Sequence, residues 1–132
     1  MNRKLNNIVE EICGKDGRYR EDAYEFVMEA LSYSQKKFRR SKHVNGVELL
    51  QGMKELLLDK YGPMTLAVLN HWGIRTTEDF GHVVFNLVER KVLSKADEDT
   101  FEIFRAGYDF EEVFNQGYRK QLEKRISRMR SF

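Results

Sequence analysis

Between His43 and Val92 apolar residues recur every three to four positions in three successive blocks, HVNGVELLQGMKELLLDKYG, PMTLAVLNHWG and IRTTEDFGHVVFNLVERKV. That period is the signature of helices with one buried face. Each block opens on a start signal, and the first two end in glycine. In the first, Asn45 is placed to accept from the backbone three residues on while Glu48 reaches back, a capping box built on asparagine. Leu49, Leu50, Met53, Leu56, Leu57 and Tyr61 then mark a buried face, and Gly62 stops the helix. Pro63 stands where a first turn tolerates a missing N–H, opening a short helix that Gly73 closes. Thr76 or Thr77 caps the third, with Glu78 and Asp79 in the first turn where the helix dipole favours acids. Its stripe is Phe80, Val83, Val84, Leu87 and Val88.

The same reading extends to both sides. Leu5, Ile8, Val9 and Ile12 predict a helix from about Arg3 to Cys13, ended by GKDG. A longer helix follows from about Glu21 to Phe38. Ala23, Phe26, Val27, Ala30, Leu31, Ser34 and Phe38 share one stripe, while Tyr24, Met28 and Tyr33 widen the apolar coverage, as in a helix contacted from more than one side. Ser94 with Asp97 predicts a cap before Phe101 and Phe104. Asp109 with Glu112 predicts another before Phe110, Val113, Phe114, Leu122 and Ile126. No alternating run bounded by hairpin turns competes. The expected class is all-α, with six or seven helices in orthogonal or bundle-like packing. Gly52, Gly81 and Gly117 fall inside these helices, each costing up to about 1 kcal/mol relative to alanine. Gly52 and Gly81 lie one turn from apolar or capping neighbours, which predicts close approach by another helix.

A length of 132 residues, with 41% hydrophobic and 12% aromatic content, predicts one packed domain. Residues 1–117 would form its body, and 118–132 a basic helix end and tail of the same domain. The longest apolar runs are far shorter than a membrane span, and the MNRKLNNIVEEIC start lacks the apolar core of a signal peptide. The expectation is a cytoplasmic protein that engages no membrane. One cysteine, Cys13, excludes an internal disulfide, a CxxC redox pair and a Cys-rich zinc knuckle.

Candidate chemistry begins with His43, His71 and His82, the side chains that titrate near neutrality. Asp79 and His82 share a helix face at i, i+3, where a carboxylate orients an imidazole. With His71 nearby, and Glu78 beside Asp79, a metal or catalytic cluster would need these groups to meet in space. Their spacing matches no tight ligand motif, and structural roles account for each: His71 and His43 at helix ends, His82 in a surface pair with Asp79. Cys13 carries no nucleophile signature. GKDGR lacks the spacing and the Ser/Thr of a phosphate loop and follows a helix instead of a strand. Tyr61, Trp72 and Phe80 sit at helix junctions, where aromatics build core. The reading assigns no catalytic residue, no metal and no cofactor.

Charge is the stronger lead. Net charge is only +2, but Lys36, Lys37, Arg39, Arg40 and Lys42 stand together with no acid among them. Arg119, Lys120, Lys124, Arg125, Arg128 and Arg130 face Glu123 alone. Between Thr76 and Glu112 the balance reverses. Phe38 among the first group permits base stacking beside phosphate contacts. If both groups face one side, they form a sequence-nonspecific, salt-sensitive phosphate surface.

The segments DGRYREDAYEFVMEAL, HVNGVELLQGMKELLLDKYGPMTLAVLNHWGI and TTEDFGHVVFNLVE resemble those of a family of small, uncharacterised bacterial proteins. The similarity runs from about Asp16 to Phe114, and its most specific part is WGI…TEDFG. It implies an intact domain in a bacterial cytoplasm and no particular activity. The expected function is therefore a non-enzymatic interaction module, binding nucleic acid or a ribonucleoprotein through Lys36, Lys37, Arg39, Arg40, Arg119, Lys120, Lys124, Arg125 and Arg128. The alternative is a protein-binding adaptor or homo-oligomer without nucleic acid. An enzyme built on His71, Asp79 and His82 is the third class.

Overall fold

In the computed structural model, residues 3–94 and 101–129 are described. They form α1 (Arg3–Lys15), α2 (Glu21–Lys37), α3 (Gly46–Tyr61), a 3-10 turn (Gly62–Met64), α4 (Thr65–Trp72), α5 (Thr77–Glu89) and α6 (Phe101–Ala106). A π-helical turn (Glu111–Gln116) then leads into α7 (Gly117–Met129). No strand occurs among the described residues. The chain is an all-α single domain of packed helices.

The helix boundaries obey the punctuation. At α3 the Asn45 Oδ1 accepts from the Glu48 N–H at 2.8 Å, and Glu48 accepts from the Asn45 N–H at 3.2 Å. Pro63 opens the 3-10 turn, and Gly73 ends α4 at φ 85°, a left-handed conformation that glycine adopts without a Cβ clash. Asp109 accepts from the Glu112 N–H at 2.9 Å, as the spacing predicts. The helix it caps begins as a π-helical turn instead of the expected plain α-helix. Phe110, just before this turn, and Phe114 within it are both buried, their ring centroids 5.4 Å apart. The Ser94–Asp97 cap falls on a segment whose 95–100 part lies outside the described residues, as do Arg130 and Phe132.

The core lies where α2, α3 and α5 converge. α2 against α3 is the most extensive helix pair, and α5 packs on both α2 and α6. Tyr24, Val27, Met53, Leu57, Phe80, Val83 and Leu87 are fully buried there. Each large apolar side chain contributes on the order of 1.5–3 kcal/mol of transfer free energy. Both interior glycines mark close helix crossings. A Cβ on Gly52 would collide with the Ser34 hydroxyl of α2, and one on Gly81 would lie 2.7 Å from the Cβ of Phe104 on α6.

The α1–α2 connection is tied to the far side of the domain. Arg18 holds Asp16 through two bonds of 2.7 and 2.8 Å. The Tyr19 hydroxyl donates to Asp79 at 2.6 Å, and the Arg20 N–H donates to the Trp72 carbonyl at 3.1 Å. The Arg18 carbonyl sits so close to Gly73 that any side chain there would strike it. Asn86 of α5 completes the tie, donating to both Asp16 and Tyr24 at 3.0 Å.

Candidate nucleic-acid interface

The histidine constellation does not assemble. Asp79, at the start of α5, is spoken for: its carboxylate accepts from the Tyr19 hydroxyl and from the N–H groups of Arg75 and Thr76. The carboxylate nearest His82 is Glu78, one turn back, at 3.9 Å. The His82 ring lies against Phe101 at 4.9 Å and stacks toward Tyr19 at 6.4 Å. His71 is exposed, and its carbonyl accepts from Arg20 Nε at 2.9 Å. No three His, Cys, Asp or Glu side chains among the described residues are grouped as a metal site requires. Local spacing suggested an Asp79–His82 pair; a tyrosine sixty residues upstream takes the carboxylate instead.

Cys13 is likewise structural. Its thiol faces the Tyr19 carbonyl at 3.6 Å, and burial, with Glu21 and Asp16 nearby, pushes its pKa up, away from a reactive thiolate. Trp72 and Phe80 are core, stacked through Phe26, and Tyr61 leans edge-on against Trp72 at 5.9 Å.

The first basic stretch closes α2 and is largely committed to α3. Lys37 Nζ pairs with Glu55 at 2.6 Å, and Arg40 with Glu48 at 3.1 Å. Those bonds hold the Glu48 carboxyl below its ordinary pKa, and outweigh burial to do the same for Glu55. Phe38 is half-buried beneath the Lys37 ammonium, 5.7 Å from its ring. Only Lys36 and Arg39 of the four nominated cations have no acidic partner among the described residues. Arg39 leaves the helix at φ 55°.

The second stretch is different. Arg119, Lys120, Lys124, Arg125 and Arg128 all lie exposed on α7, and none has an acidic partner among the described residues. Lys120, Lys124 and Arg128 recur at i, i+4 and i+8, so they stack as a ridge with one cation every 6 Å or so of helix. They border a shallow surface depression with Glu123 and Ser127. About 160° around the helix run Leu122, Ile126 and Met129. Leu122 and Ile126 were expected in the buried stripe; they are 42% and 40% exposed. The reason is that α7 makes its main contacts with the π-turn preceding it and only leans toward the body. Leu122 and Arg125 form one bank of a groove of about 620 Å³ whose other bank carries Tyr33, Glu55, Leu58 and Asp59.

The two basic stretches do not meet here: among the described lining residues Arg125 faces Glu55 and Asp59 across the groove, and Lys37 is already paired with Glu55. They do not merge into one cationic surface. The ridge on α7 is the continuous positive feature. Compared with known protein families, curated proteins and solved structures, the chain matches none.

Proposed function

We propose that this protein is a non-enzymatic interaction module that binds nucleic acid, free or within a ribonucleoprotein, through α7. The reading rests on one observation: the Lys120–Lys124–Arg128 ridge is exposed, regularly spaced and without acidic partners among the described residues. Unpaired cations at one per turn meet a phosphate backbone without first breaking an ion pair, and each phosphate neutralised releases counterions. Lys37 and Arg40, already paired with Glu55 and Glu48, contribute little. A ridge of lysine and arginine contacts phosphates, which carry no sequence information, so sequence-nonspecific binding is expected. The bacterial, cytoplasmic setting implied by the sequence resemblance accompanies this proposal.

The test is a mobility shift with a single-stranded oligonucleotide at about 0.1 M salt. The combined variant Lys120→Gln, Lys124→Gln, Arg128→Gln should bind about a hundredfold more weakly, the effect of removing three phosphate contacts. Lys37→Gln should change affinity less than about twofold. No shift by the wild-type protein, or equal shifts by wild type and triple variant, would refute the proposal.

A second reading has its own observation. The exposed Leu122, Ile126 and Met129 stripe suits a protein partner or a second copy. Sedimentation that shows a dimer lost in Leu122→Gln/Ile126→Gln, with no oligonucleotide binding, would favour it over nucleic acid.

A further inference from the structure

A pocket of about 440 Å³ is lined by residues of α2, α3 and α5 and by the 41–44 connection. Its size falls within the range of small-molecule sites, about 300–1,000 Å³. Leu49, Val84, Phe85, Val88 and Val92 make an apolar wall, and the solvent-exposed Ser41, Lys42 and His43 line the pocket as well. None of the described lining residues is Asp or Glu, and Lys42 is the one Lys or Arg among them. This segment is braced: Gln35 donates to the Lys42 carbonyl at 2.8 Å. Glu48, the nearest acid in sequence, is held by Arg40 and the Asn45 N–H. α3 begins at Gly46 in the same wall, and the positive end of its dipole adds to the field there. The Lys42 ammonium, on a flexible stem, has no partner among the described residues and reaches an anion in this pocket.

We infer that this pocket binds an amphiphilic monocarboxylate, with its hydrocarbon chain against Val84, Val88 and Val92 and its carboxylate at Lys42. The polar lining groups are Gln35, Ser41, Lys42, His43 and Ser94, while the Val84, Val88 and Val92 side is apolar and suits a hydrocarbon chain. A single cation suits a monoanion better than a phosphate ester. The chain supplies affinity through burial; Lys42 supplies the preference for acid over alcohol. The pocket's described lining shares no residue with the α7 ridge or with the groove beside it.

The experiment titrates the isotope-labelled full chain with hexanoate, octanoate and decanoate below their micellar concentrations, with octanol as the neutral control. Saturable one-site binding is expected, with amide shifts at Val84, Val88, Val92 and Leu93. Affinity should rise by up to about fourfold per added methylene until the pocket is filled. Lys42→Gln, at an exposed position, should weaken octanoate about tenfold and leave octanol unchanged. Val88→Trp should abolish binding; the shift map of the wild type locates the site independently if that variant fails to fold. No saturable binding by any of the acids, shifts confined to other residues, or octanol binding as tightly as octanoate would overturn the inference.

Discussion

Ser34 and Gly52 show how much rests on single atoms. Ser34 is fully buried where α2 meets α3, and its hydroxyl has no hydrogen-bond partner among the described residues. It occupies the space that the missing Cβ of Gly52 leaves. Ser34→Ala therefore removes an unsatisfied buried hydroxyl and should stabilise the fold by about 1 kcal/mol. Gly52→Ala alone should destabilise by about 1–3 kcal/mol through overpacking, despite the better helix propensity of alanine. In the Ser34→Ala background the new methyl meets the residue-34 Cβ at 3.1 Å and Tyr33 Cδ1 at 3.5 Å in place of the hydroxyl, so most of the penalty should vanish. Urea denaturation of both single variants and the double variant measures the coupling; additive effects would contradict the packing described. At this scale the sequence was partly legible. It marked Gly52 and Gly81 as crossing points and placed Ser34 on the packed stripe, because both arise from helical period. It mispaired Asp79, because Tyr19 arrives through a loop and no local spacing announces it. The segment WGI…TEDFG, the most distinctive in the chain, proves occupied with structure: Gly73 admits the Arg18 carbonyl, Asp79 holds Tyr19, and Gly81 admits Phe104.

Among the elements, those with strong punctuation matched their prediction best. The capping box at α3 is present on both sides, and Asn45→Ala should cost about 1 kcal/mol, read as a lower urea midpoint at unchanged slope. A variant as stable as wild type would mean that the cap is redundant. The π-helical turn at 111–116 was not legible, since a single i→i+5 turn leaves no distinctive periodic signal in the sequence. The fate of α7 was half legible. Its basic residues were evident, but Leu122 and Ile126 continue the apolar period of Phe110 and Phe114, and period alone does not say where the supporting body ends. That is why the candidate site narrowed from nine cations to the helix that stands apart.

For the whole molecule, electrostatics fixes how stability should vary with pH. Arg18, with Asn86, holds the Asp16 carboxyl well below the ordinary range against the opposing effect of burial, and Glu48 and Glu55 are lowered too. The folded chain therefore binds fewer protons than the unfolded one in mild acid. The stability these groups confer is present above about pH 4, the ordinary carboxylate value, and is lost as pH falls below it. Thermal melts should drop from about pH 6 to about pH 3. Asp16→Asn should melt lower at the higher pH but lose less on acidification; parallel curves would contradict the assignment. At the alkaline end, burial raises the phenols of Tyr19, Tyr24 and Tyr108. Their contribution is full below about pH 10 and is lost above it, as the unfolded phenols ionise first. The near-zero net charge of the molecule hides the asymmetry that matters, a cationic ridge along α7. The most direct test of that ridge is the salt dependence of oligonucleotide affinity, followed by fluorescence anisotropy from about 0.05 to 0.3 M salt. With the five cations of α7 engaged, the slope of log K against log salt should lie near about −3 to −4, and the Lys120/Lys124/Arg128 triple glutamine variant should flatten it by about 2. A slope unchanged by those three substitutions, or wild-type binding that ignores salt, would contradict a phosphate-binding role for α7.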